Sequence, residues 1–250
     1  MIKRYLSTLA LALGLAAVAL PALAAEEGDL PSAGTNVQDK ASLQRGAKLF
    51  FNYCVGCHSL KYVRYSRLAS DLGLTEDEVM KNLNFTGAKF GETVISHMPA
   101  DAAKGWFGKE PPDLSLEARA KGPDFIFNYL NSFYLDPSRP VGWNNTVFPN
   151  ASMPNPLWEL QGLQVAVHAE GKAGADAAVE KLELHTPGRM SPEEFRAATR
   201  DLTAFLEYTA EPAVLVRQSV GLWVLLFLAG LTFLLYLLKH EYWKDVHEHH

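Results

Sequence analysis

Apolar residues recur at helical spacing in several stretches of this chain. Between Asp39 and Tyr53, the positions Leu43, Ala47, Phe50 and Phe51 fall near one face and predict an amphipathic helix. Gly46, Phe50 and Cys54 are spaced four apart and share that face, and a Gly there lets another helix approach at its backbone. The natural partner begins at Ser191-Pro192-Glu193-Glu194, which combines an N-cap Ser, a first-turn Pro and the Glu of a capping box. Phe195, Ala198, Leu202, Phe205 and Leu206 give this second helix its stripe, and it should end near Thr209, before Glu211-Pro212. Thr75-Glu76-Asp77-Glu78 is another capping box, opening a helix toward Leu83. Gly122 to Tyr134 reads as a further helix, with Phe125, Ile126, Tyr129, Leu130 and Phe133 inward.

Other stretches lack that period. Phe85 to Glu110 contains several Gly and no clear repeat, which predicts a long surface loop. Pro111-Pro112-Asp113-Leu114-Ser115 is a rigid corner missing two backbone donors. Trp158–His168 and Ala178–Leu184 alternate, predicting a short β-hairpin with Gly171–Ala177 at its tip.

The two ends are apolar without being core. Lys3 and Arg4 precede the run Leu9–Leu20, and Pro21 and Ala22-Leu23-Ala24 follow, so residues 1–24 read as a secretory signal cut after Ala24. Ser219 to Leu238 carries no charge and matches a hydrocarbon core of about 30 Å, with Trp223, Tyr236, Tyr242 and Trp243 suited to the interfaces. This organisation predicts an exported domain over 25–212, a transmembrane anchor over 213–238 and a cytoplasmic tail over 239–250. His240, His247, His249 and His250 in that tail read as a solvated terminus rather than a metal site.

A 250-residue chain with 48% hydrophobic residues suits one or at most two compact domains. Its net charge of −5, with no basic run, argues against a nucleic-acid partner. Residues 25–212 hold 18 Lys and Arg against 25 Asp and Glu, a net −7 that suits either steering of a basic partner or an ordinary solvated surface.

The chemistry concentrates at Cys54-Val55-Gly56-Cys57-His58. Two thiols three apart with His directly after them form the attachment pattern for haem c, with His58 as proximal iron ligand. A zinc site would want further Cys or a His pair, and these are the chain's only two Cys. A redox dithiol would want a βαβ context, whereas the flanks look helical. Export supports haem, because bacteria join haem to apocytochrome outside the plasma membrane. For the second iron ligand the candidates are Met80, Met98, Met153, Met190, His97, His168 and His185. Met98 and Met153 both lie in loops before a Pro. The Met153 loop, Phe148 to Pro156, is fixed by three prolines and is favoured, with Met98 left open.

These residues resemble the cytochrome c1 family, the haem subunits of cytochrome bc1 complexes. Arg45-Gly46, the haem pentapeptide with Ser59-Leu60, the Pro111–Ser115 corner, Ser152-Met153-Pro154 and Ala210-Glu211-Pro212 before the anchor carry the likeness across nearly the whole chain. The resemblance implies a mainly α, cytochrome-c-like haem domain with long loop insertions and the short hairpin, followed by one C-terminal transmembrane helix. It implies one haem c held covalently by Cys54 and Cys57, with His58 and Met153 as axial ligands. Pro111 and Pro112 would lie against the haem. Arg119 and Lys121 fall where the family often has two Arg near a haem propionate, and Lys121 departs from that pattern. The chain would then be a non-catalytic redox subunit of ubiquinol–cytochrome c oxidoreductase in the bacterial inner membrane, its haem domain periplasmic. Its partners would be cytochrome b and the Rieske iron–sulfur protein in a dimeric complex, with cytochrome c as acceptor. The alternative is a membrane-tethered c-type carrier or oxidase subunit outside such a complex. The stretch Gly162–Thr186 looks longer than is usual for the family.

Overall fold

Two long helices cross to form the frame. A computed structural model describes residues 30–168 and 179–244. The chain divides into residues 1–31 and 32–250, and all but two residues of the first unit, including residues 1–24 read from the sequence as a secretory signal, lie outside the described residues. Helix α1 (Lys40–Tyr53) starts where the Asp39 carboxylate accepts from the N–H groups of Ala41 and Ser42. After it come β1 (Leu60–Arg64), α2 (Tyr65–Leu72), α3 (Glu76–Asn82), β2 (Thr93–Val94), α4 (Ala100–Phe107), α5 (Glu117–Lys121), α6 (Pro123–Asn131), β3 (Phe133–Leu135), β4 (Trp143–Asn145), α7 (Trp158–Gln161), β5 (Gly162–His168), β6 (Val179–Pro187), α8 (Pro192–Ala210) and α9 (Val214–Tyr242). The mainly helical class read from the sequence holds.

Helix α8 opens with the expected box: Ser191 Oγ accepts from Glu194 N, and Glu194 Oε2 accepts from Ser191 N at 2.8 Å. It crosses α1 at Gly46, where an added Cβ would sit 2.0 Å from the Asp201 carbonyl oxygen. Beside that crossing the Asp201 carboxylate accepts from Ser42 Oγ at 2.6 Å and from Arg45 Nε and Nη2 at 2.5 and 2.9 Å. Phe50, Phe51, Leu202, Phe205 and Tyr208 are fully buried around the crossing. Each large apolar side chain buried there contributes roughly 2 kcal/mol or more of transfer free energy. Within α8, Thr199 and Thr203 donate to carbonyls four residues back, so their hydroxyls enter the core paired.

Three expectations change. The predicted helix Gly122–Tyr134 ends at Asn131, and Phe133–Leu135 leaves it as β3. The presumed loop Phe85–Glu110 contains β2, antiparallel to β1, and the helix α4. The hairpin exists as β5 and β6, but Trp158–Gln161 is a helical turn, and β5 also pairs in parallel with β3 in a four-stranded sheet ordered β4-β3-β5-β6. The expected tip Gly171–Ala177 lies outside the described residues.

Helix α9 contains a 24-residue stretch, Ser219–Tyr242, in which an 18-residue window reaches a mean hydropathy of 2.4 with none of it buried. At about 1.5 Å per residue it is long enough to cross a hydrocarbon core.

Candidate haem site

Cys54 caps the C-terminus of α1, its N–H donating to Phe50 O at 2.8 Å. The chain then turns at once: Cys57 N and His58 N both donate to Cys54 O, at 3.0 and 2.9 Å. This turn gathers both sulfurs and the imidazole at the end of one helix. The Pro111–Ser115 corner is bolted to the strand that follows. Leu114 N donates to Ser59 O, Lys61 N to Asp113 Oδ2 and Tyr62 N to Ser115 Oγ. The corner's carbonyl at Pro112 lies 2.7 Å from His58 Nδ1. A carbonyl only accepts, so Nδ1 carries the hydrogen and Nε2 keeps its lone pair. Burial pushes the His58 pKa down, which keeps the ring neutral and fit to ligate a metal.

His58 faces a cavity of about 340 Å³. Cys54, Cys57, His58, Pro111, Pro112, Lys121 and Met153 all line it. Most of the remaining wall is apolar, with Phe125, Ile126, Tyr129 and Leu130 from α6, Leu202 and Leu206 from α8, and Phe148 from the Met153 loop. Tyr129 stacks on Phe125 with centroids 6.0 Å apart and meets Phe133 edge-on at 4.9 Å. Burial raises the Tyr129 phenol to about 12, so it stays protonated. The wall carries few charges. Lys109 Nζ lies 5.8 Å from the Phe148 ring centroid, Lys121 Nζ lies 5.7 Å from that of Phe125, and Glu117 adds one carboxylate.

Of the seven second-ligand candidates, Met153 alone lines the cavity. Met80 and Met190 pack against the hydrophobic core. Met98 lies beside Ser96, whose Oγ accepts from its N–H, and is outside the lining. His97, His168 and His185 are exposed. Arg119 is exposed on α5 and does not line the cavity, whereas Lys121, two residues on in the same short helix, does.

Sequence reading missed Phe107, at the end of α4, and Lys109, just past it, which both reach the cavity, because a short helix inside an aperiodic stretch gives no repeat to detect. It also missed Ser96. Its N–H donates to Ser59 Oγ and its hydroxyl to Gly56 O, both at 2.8 Å, tying the 85–110 segment to the pentapeptide.

The donor set suits haem better than the rival chemistries. A reactive dithiol needs a lowered thiol pKa, yet burial raises Cys54 to about 12 and also raises Cys57. Among the described residues no group of three or more His, Cys, Asp or Glu side chains gathers to hold a bare metal ion. An apolar cavity that brings together two thiols, a neutral imidazole nitrogen and a thioether fits a c-type haem.

Comparison with known proteins agrees. The model of the Cytochrome C1 family matches residues 33–181 and 185–246. The chain is 50% identical over 219 residues to a cytochrome c1 of Allochromatium vinosum, covering 87% of this chain and 90% of that protein. It is 34% identical over 243 residues to a cytochrome c1 of Rhodospirillum rubrum, covering 83% of each. It is also 42% identical over 222 residues to a protein of Nitrosomonas europaea named ammonia monooxygenase gamma subunit, covering 89% of this chain and 91% of that protein. The matched ranges include both the cysteine turn and the apolar C-terminal helix.

Proposed function

The chain belongs to the cytochrome c1 family, the haem-carrying electron-transfer subunits of bc1 complexes, and from that premise we propose that Cys54, Cys57, His58 and Met153 hold a single haem c in the cavity. The observation that carries this reading is the meeting of His58 and Met153, far apart in sequence, in the one cavity that also holds both thiols. When bound, the haem supplies a reversible one-electron couple. Cys54 and Cys57 would hold it through thioether bonds. His58 offers Nε2, its ring held by the Pro112 carbonyl. Met153 offers a sulfur that favours the reduced metal and so a higher potential. The apolar walls would exclude water and leave the iron to the protein's own donors, His58 and Met153.

In this reading the chain takes one electron from the Rieske iron–sulfur protein and passes it to a cytochrome c, making and breaking no substrate bond. It sits with cytochrome b and the Rieske protein in a dimeric complex of the bacterial inner membrane. Residues 1–24 direct export, residues 25–212 fold in the periplasm, residues 213–238 anchor the chain and residues 239–250 face the cytoplasm. The Ser219–Tyr242 helix supports the anchor. Gentle detergent purification followed by identification of the accompanying chains tests the assignment. Recovery with a cytochrome b and a Rieske protein is the expected result. Recovery of the haem chain alone, or with oxidase subunits, would favour the separate membrane-tethered carrier.

A further inference from the structure

The segment that carries Met153 runs from Thr146 to Leu157 outside any helix or strand. Several of its N–H groups are taken by buried side-chain amides. Asn145, 1% exposed, has Oδ1 accepting from Val147 N at 2.9 Å and Phe148 N at 3.0 Å. Its neighbour Asn144 has Oδ1 accepting from Asn150 N at 2.8 Å. At the outgoing end Asn155, 3% exposed, has Oδ1 accepting from Leu157 N at 2.9 Å.

The donor halves of Asn145 and Asn155 lead to one place, whereas Asn144 Nδ2 donates to Asp136 Oδ2 at 2.9 Å. Asn145 Nδ2 donates to Tyr129 O at 2.8 Å. Asn155 Nδ2 donates to Gln161 Oε1 at 2.6 Å, and Gln161 Nε2 donates to Asn131 O at 3.2 Å. Tyr129 and Asn131 are in the last turn of α6, where helix carbonyls have no partner within the helix. Both ends of the loop are therefore pinned to the end of α6, and α6 also supplies the cavity wall through Phe125, Ile126, Tyr129 and Leu130. The wall and the loop share one reference point.

We propose that Asn145 and Asn155 are positioning residues for Met153, a two-ended amide clasp that fixes the thioether against the α6 wall. The inference rests on Met153 being the haem ligand. A methionine sulfur is a weak, neutral ligand, so its occupancy depends on how little the loop must be ordered to present it. Removing Asn145 takes the acceptor from the Val147 and Phe148 N–H groups and leaves Tyr129 O with Ser132 N alone, and removing Asn155 takes the partners of Gln161 Oε1 and Leu157 N. That shifts the ratio of ligated to open loop by about tenfold.

The test compares the full chain, purified with its haem, with the variants N145A and N155A and with L68A as control. Leu68 is fully buried on α2 and does not line the cavity, so L68A lowers stability without touching the clasp. Three readings are taken: the thioether–iron charge-transfer absorption of the oxidised protein, carbon monoxide binding by the reduced protein, and the melting temperature. The expected result is that N145A and N155A retain haem, show a weaker absorption and bind carbon monoxide about tenfold more tightly than the parent, while L68A melts lower and keeps the parent's absorption and carbon monoxide affinity. Should N155A fail to accumulate, Gln161→Ala leaves the Asn155–Leu157 bond in place and is expected to show the same loss. Absorption and carbon monoxide affinity unchanged from the parent in the clasp variants overturn the inference, as does an equal change in L68A. If the unaltered protein lacks the absorption, the Met153 assignment fails first and the clasp with it.

Discussion

Gly46 and Asp201 touch backbone to backbone. A Cβ at position 46 would lie 2.0 Å from the Asp201 carbonyl oxygen and 2.7 Å from Phe205 Cβ. Neither can swing aside as a side-chain end could. Gly46 stands two turns before Cys54 on α1, and Leu202 and Leu206 of α8 line the cavity, so this contact sets the distance between two walls of the site. Gly46→Ala should cost about 3 kcal/mol and yield little haem-loaded protein. Gly56→Ala, inside the cysteine turn but with nothing within 4 Å of the added carbon, should melt and load like the parent. Melting temperature and haem content of the two variants check this; equal behaviour would remove the crossing from the account.

The polar group at the same crossing gives a second prediction. Asp201 is 9% exposed and accepts from the buried Ser42 as well as from Arg45, whose side chain is mostly exposed. Asp201→Ala leaves a buried hydroxyl unpaired and should cost about 2 kcal/mol. Arg45→Ala loses a solvent-screened ion pair and should cost about 0.5 kcal/mol. Denaturant midpoints order the two, and a larger effect for Arg45→Ala would contradict the argument.

Tyr208 links stability to pH. Its hydroxyl donates to Asp71 Oδ2 at 2.8 Å, and burial, then the Asp71 contact, raise the phenol well above its ordinary value of 10. The unfolded chain releases this proton near pH 10 while the folded chain keeps it. Stability from Tyr208 is therefore complete below that pH and is lost as pH rises above it. Tyr208→Phe should cost about 1 kcal/mol at neutral pH and flatten the alkaline decline. Melting temperatures measured from neutral to strongly alkaline pH read both effects, and an unchanged alkaline slope would contradict them.

Much of this was legible in the sequence where caps and periodicity agree. Asp39, Ser191 and Glu194 announce α1 and α8, and the gap at Gly46 announces their crossing. The Ser219–Leu238 part of helix α9 carries no charge on any face. The cysteine turn carries its chemistry in its spacing. What stayed hidden depends on contacts made far away in the chain. Helix α4 follows Pro99, which offers no side-chain cap, and stops at Gly108 in the left-handed region, too short for a repeat to show. The three residues of β3 continue an apolar helical pattern, and only pairing with β4 and β5 makes them extended. The amide clasp could not be read either, because nothing local to Asn145 or Asn155 points to the end of α6.

The account stands on covalent attachment at the cysteine turn, and thiol titration of the purified, fully unfolded chain tests it most directly. It predicts that neither Cys54 nor Cys57, the only two cysteines, reacts with a thiol reagent, and that the pigment stays with the protein in acidified organic solvent. Two reactive thiols together with extractable or absent pigment would contradict it.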